Sequence, residues 1–195
     1  MKDESNALDR FVASPAAPLT AFFWGLAEAT VFFIVPDVLL SIISCRSVRA
    51  CWKALLCALS GALLGGFVMH GFGNTAPTTA RNLLIRVPGI HPSLIERIHV
   101  QISIHPTAAV LTGPLIGVPY KIYAVESGAQ HKGLLGFLLV SVPARGLRFA
   151  LTMLVSGGIV RLIAPWTKRN ASIELMILSV FWIGFYLFYF MHFGW

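Results

Sequence analysis

The feature that most constrains this chain is a succession of apolar runs of roughly 20 residues or more, the length of helix that crosses the hydrocarbon core of a bilayer. They fall at 16–45, 54–72, 107–128, 133–160 and 173–193. Only 12% of the residues are charged and the mean hydropathy is +0.76. That is too little charge to clothe a soluble domain of 195 residues. The expectation is an all-α integral membrane protein with one membrane domain. Residues 1–15 are polar and lack a positive start followed by a short apolar region, so a removable signal peptide is not expected.

The formal net charge is +7, but the basic residues occupy short connectors between apolar runs. Connectors of that kind report orientation and contact with anionic lipid, so nucleic acid is not an expected partner. Cys45, Cys51 and Cys57 are six apart, without the close pairs of a zinc site, and read as small buried hydrophobes. The six histidines are scattered. No metal or cofactor is expected. There is no nucleophile elbow or phosphate-cradling loop either, so the chain does not read as an enzyme.

Two runs are interrupted. The first, 18–45, contains Glu28 and then Val35-Pro36-Asp37. The second, 107–130, contains Gly113-Pro114, Gly117, Pro119, Lys121 and Glu126. Each is followed by a connector and a span, at 54–72 and 133–160. Gly61 and Gly65 in the first span have the small-xxx-small spacing of close helix approach. If each interrupted run is a re-entrant helical hairpin, one crossing separates the two, and they enter from opposite faces. That gives an inverted repeat, with Pro36 and Pro119 at the turns and about three transmembrane helices, the last at 173–193. The polar stretch 73–105 becomes a loop with an amphipathic element over Pro92–Ile104. The simpler alternative makes each interrupted run a kinked span. Under the hairpin topology, the N-terminus and the connectors 46–53 and 161–169 share the more basic side, which the positive-inside rule places in the cytoplasm.

Charges inside apolar runs are the candidate site. A carboxylate at the bilayer centre costs about 2.5–3.5 kcal/mol on insertion scales, so Glu28 and Asp37 need a cavity or a cation. They read as a proton relay, as counter-charges, or as structural partners of Arg145 and Arg148. Those two arginines, three residues apart, project from roughly one helix face and suit a phosphate. The alternative is snorkelling to the interface. Lys121 and Glu126 read either as site residues or as an interfacial pair near the second hairpin's exit. His70 reads as interfacial.

The stretches Glu28 with Phe32-Phe33-Ile34-Val35-Pro36-Asp37, Gly113-Pro114-Leu115-Ile116-Gly117-Val118-Pro119-Tyr120-Lys121, and Pro143-Ala144-Arg145-Gly146-Leu147-Arg148-Phe149 carry a family resemblance. Over residues 18–160 the chain resembles the DedA family, whose shared unit is called the VTT or SNARE-associated domain, and within it the short YqaA-like branch. The resemblance implies opposed re-entrant hairpins and movement of lipid head groups, phospholipid or polyprenyl phosphate, across a bacterial inner membrane. It also implies flippase or scramblase activity, with protons as a further partner. Glu28, Asp37, Lys121, Arg145 and Arg148 are the substrate- or proton-binding residues on this reading. A proton-coupled transporter of a small solute and a non-transporting scaffold remain open.

Overall fold

The structure is a computed structural model and describes residues 2–167 and 171–193. Lys168 and Arg169, in the connector 161–169 read above as basic, lie outside the described residues. Every regular element among the described residues is helical. In chain order they are α1 (Lys2–Ala13), α2 (Ala16–Thr30), α3 (Asp37–Arg46), α4 (Val48–Thr75), α5 (Pro77–Ile85), α6 (Pro92–Ile104) and α7 (Pro106–Thr112). A 3₁₀ turn (Gly113–Ile116), α8 (Tyr120–Ala129), α9 (Leu134–Thr167) and α10 (Ala171–Phe193) follow.

Three stretches are long and apolar enough to cross a membrane: Val48–Thr75, Leu134–Leu162 and Ser172–Met191, with mean hydropathies of 1.7, 1.6 and 1.9. Their outer faces carry large exposed hydrophobes, among them Leu151, Leu154 and Ile159 on α9 and Val180, Leu187 and Phe188 on α10. A continuous apolar surface of this extent belongs in lipid rather than water. Two spans begin or end beyond the apolar runs. Arg49 and Lys53, expected in a connector, lie on the first turns of α4, where Ser47 caps the helix by accepting from the Ala50 N–H. Helix ends tolerate charge that reaches the interface. Pro143 lies within α9 without ending it.

Helix α2 packs on α4 through glycines. Gly61 faces the Phe22 carbonyl and Leu26, Gly65 faces Leu26 and Ala29, and Gly25 faces Ala58. From Phe22 on Gly61 to Ala29 on Gly65 the contacts advance along both helices, so α2 and α4 run in the same direction. α3, between them in sequence, runs back: its Leu40 carbonyl accepts from the Cys51 thiol near the start of α4. α8 likewise runs alongside α4, with Tyr120 against Gly66 and Val125 against Gly73. Lys132, after α8, offers its carbonyl to His70 Nε2 at 2.9 Å. The polar stretch becomes α5 and α6. The amphipathic element is a helix throughout, including the alternating end at 100–104, and it buries Leu94, Ile95, Ile98 and Ile102 on one face.

Candidate functional site

Two breaks in the helices meet in the interior. The first spans residues 31–36. α2 ends where the N–H groups of Val31 and Phe32 both bond the Ala27 carbonyl, and Pro36 caps the start of α3. The second follows the 3₁₀ turn. Gly117 takes φ +89°, a left-handed conformation open to glycine, and Pro119 then caps α8. Non-helical backbone at this depth needs partners from side chains. In the first break, the Phe32 carbonyl accepts from Lys121 Nζ at 2.7 Å and the Ile34 carbonyl from Trp24 Nε1 at 3.0 Å. The Val35 N–H donates to the Tyr186 hydroxyl at 2.9 Å. In the second, Arg148 Nη1 donates to the Pro114 carbonyl at 3.1 Å.

The breaks deliver charged side chains to one place. Glu28, at the end of α2, forms a buried ion pair with Arg145 of α9. The Arg145 guanidinium also lies over the rings of Tyr120 and Phe149, at 5.0 and 4.8 Å from their centres, a favourable arrangement for a cation. One turn along α9, Arg148 Nη2 is 3.1 Å from Asp37 Oδ2, and Thr152 donates to Asp37 Oδ1 at 2.6 Å. The snorkelling alternative for the two arginines is thereby overturned: Arg145 is fully buried, and both face carboxylates at the break between α2 and α3.

Glu28, Lys121 and Arg148 line a cavity of about 50 Å³ with Val35, Gly117 and Pro119. One wall is aromatic and comes from α10, with Phe185, Tyr186, Tyr189 and Phe190; Phe33, Val87 and Pro88 complete the lining. Asp37 and Arg145 stand behind, held through their partners. The structure thus gathers all five candidate residues. Thr152 and Trp24 went unread in the sequence, and Tyr186 read only as an interfacial aromatic of the last span, because their polar groups sit on aromatic or neutral side chains that suit an apolar helix.

Glu126 stands apart. The interfacial pair with Lys121 is overturned, because the two side chains leave α8 toward different partners. Glu126 is fully buried and receives Arg81 of α5 in a fork, Nε at 2.7 Å and Nη2 at 2.6 Å, with His99 Nδ1 of α6 at 2.8 Å. The hydrogen bonds to Glu126 raise the Arg81 guanidinium above its ordinary value. This cluster ties α5 and α6 to α8. Among the described residues no group of histidines, cysteines and carboxylates has the make-up of a metal site. No family model, curated protein or solved structure matches the chain.

Proposed function

We propose that the chain moves anionic lipid head groups across the bilayer, through the junction of two re-entrant hairpins formed by α2–α3 and α7–α8. The shared direction of α2, α4 and α8 supports this topology. α3 returns toward the start of α4, so the first unit enters and leaves on one side. α7 leads into α8, which ends beside the far end of α4, so the second unit uses the other. The two units are then an inverted repeat, as in the DedA-like reading, and the N-terminus lies on the more basic side, the cytoplasm of a bacterium.

One observation carries the function. Three cations, Lys121, Arg145 and Arg148, share a buried site with two carboxylates, Glu28 and Asp37. The site has an excess of one positive charge (three minus two). Among the described residues no carboxylate lies within ion-pair distance of Lys121; its partner is a neutral carbonyl. A phosphate offers Lys121 and Arg148 better acceptors than the Phe32 and Pro114 carbonyls they now hold. The cavity of about 50 Å³ is too small for a phospholipid head group, so this is an occluded state. α10 is the movable wall: it meets the bundle along one narrow stripe, and most of its surface faces outward. Glu28 and Asp37 balance the charge of the two arginines until a phosphate replaces them as partners.

The close pairing of Glu28 with Arg145 and Asp37 with Arg148 also supports a scaffold without transport. Reconstitution in vesicles with fluorescent phospholipid, followed by dithionite quenching, separates the two. Translocation predicts exchange between leaflets with the wild type and its loss in folded Arg148→Ala and Lys121→Gln variants. Exchange no faster than in protein-free vesicles leaves the scaffold.

A further inference from the structure

A second, larger cavity of about 650 Å³ opens at the elbow between α3 and α4. It lies at the far end of the bundle from the Glu126 cluster. Asp9 of α1, Ser44 and Arg46 of α3, Arg161 of α9 and Glu174 of α10 line it. The volume falls in the roughly 300–1,000 Å³ range of small-molecule pockets.

The arginine at its wall is held loosely. Arg46 Nε is 3.7 Å from Asp9 Oδ1, and Nη1 is 4.0 Å from Glu174 Oε2. Both distances exceed a hydrogen bond. The buried Nη2 has no hydrogen-bond partner among the described residues. A buried donor without an acceptor is costly, and a guanidinium is the strongest donor in the set. The charge of Arg46 is therefore balanced by two carboxylates without a hydrogen bond to either.

The sign pattern narrows the ligand. Among the described residues, Arg46 and Arg161 supply two positive charges, and Asp9 and Glu174 supply two negative ones. A simple anion entering here would meet as many carboxylates as guanidinium groups. A molecule carrying both signs meets a complement for each. We propose that this cavity is a binding site for a phosphate-bearing zwitterion: Arg46 turns from the two carboxylates that bracket it to share the phosphate with Arg161, and the ammonium takes its place beside Asp9 and Glu174. The same chemistry occurs in a soluble phosphoamine and in a zwitterionic lipid head group. The site is separate from the central junction and does not depend on translocation there.

The test is calorimetric titration of the detergent-purified protein with O-phosphoethanolamine, inorganic phosphate and ethylamine in turn. Phosphoethanolamine is expected to bind at least about tenfold more tightly than either half, and Arg161→Gln and Glu174→Gln each to weaken it by about tenfold. Arg161 is exposed and its change leaves the packing alone, so the assay survives if Glu174→Gln unfolds the elbow. Dihexanoyl phosphatidylethanolamine below its micelle concentration distinguishes the sources. Tighter binding than the soluble phosphoamine identifies a lipid head group; equal or weaker binding identifies a soluble zwitterion. Inorganic phosphate binding as tightly as phosphoethanolamine, no binding of either, or wild-type affinity in Arg161→Gln would overturn the proposal.

Discussion

Lys121, at the start of α8, donates to the carbonyl of Phe32 across 2.7 Å, joining two breaks that lie 89 residues apart. The bond links the first turn of α8 to the non-helical backbone that follows α2. Its acceptor is a backbone oxygen freed by the end of α2. Lys121→Met keeps most of the apolar stem and removes the donor. A hydrogen bond involving a charged group contributes about 1.5–3 kcal/mol, so the variant is expected to unfold at a lower temperature. Lys121→Arg, which retains donors, is expected to recover part of the loss. Intrinsic fluorescence during heating in detergent reads both. An unchanged melting temperature in Lys121→Met means that this bond does not join the halves.

The buried Glu28–Arg145 pair gives a prediction in two steps. Removing one partner strands a buried charge, at a cost of about 3–5 kcal/mol. Glu28→Gln and Arg145→Met are each expected to lower the melting temperature sharply. The double variant Glu28→Leu/Arg145→Met replaces both with apolar groups and is expected to melt near the wild type, since such replacements are often neutral. Additive losses in the double variant would show that the two side chains do not balance each other. The double variant also separates folding from transport: on the translocation reading it is stable and inactive.

Much of this site was legible in the sequence because charge inside an apolar run is conspicuous. Glu28, Asp37, Lys121, Arg145 and Arg148 stood out for that reason, and so did the prolines beside the breaks. Pairing of the acids with the arginines was one of the open alternatives, but which acid meets which arginine was not legible. Glu28 and Arg145 are 117 residues apart, and only the packing of α2, α4 and α9 brings them together. The partner of Glu126 was missed for a related reason: Arg81 lies in a stretch polar enough to read as a loop, where an arginine attracts no notice. The start of α4 was read too late because Arg49 and Lys53 interrupt hydropathy without interrupting the helix. Gly61 and Gly65 gave only a common spacing, yet both sit on the α2 contact.

That contact is testable by adding one methyl group. A Cβ at Gly61 would collide with the Phe22 backbone, and one at Gly25 with the Ala58 backbone. Backbone cannot swing aside as a side chain can. Gly61→Ala and Gly25→Ala are expected to destabilise by about 1–3 kcal/mol, as overpacking does. Gly136, in α9, has nothing within 4 Å of its Cβ position. Gly136→Ala is expected to be neutral or slightly stabilising, because alanine favours the helix by about 1 kcal/mol. Equal melting temperatures for Gly61→Ala and Gly136→Ala would mean that α2 does not approach α4 this closely.

The direction of the helices makes the sharpest prediction, because it separates hairpins from full crossings. Ala13 precedes α2 and Arg49 follows α3; His105 precedes α7 and Lys132 follows α8. If α2–α3 and α7–α8 each return to the face they left, Ala13 and Arg49 lie on one face, and His105 and Lys132 on the other. In a chain with Cys45, Cys51 and Cys57 replaced by alanine, single cysteines at these four positions are labelled with a membrane-impermeant maleimide. Intact cells expose the outer face alone, and inverted vesicles the inner. His105→Cys and Lys132→Cys are expected to react in cells, Ala13→Cys and Arg49→Cys in inverted vesicles. Cysteine at Ile34, within the first break, is expected to react slowly from both sides, since the break is packed against α10 and α8. Labelling of Ala13→Cys and Arg49→Cys from opposite faces would make α2–α3 a full crossing. The charged residues would then not lie at a junction of opposed hairpins, and the route proposed for head groups would close.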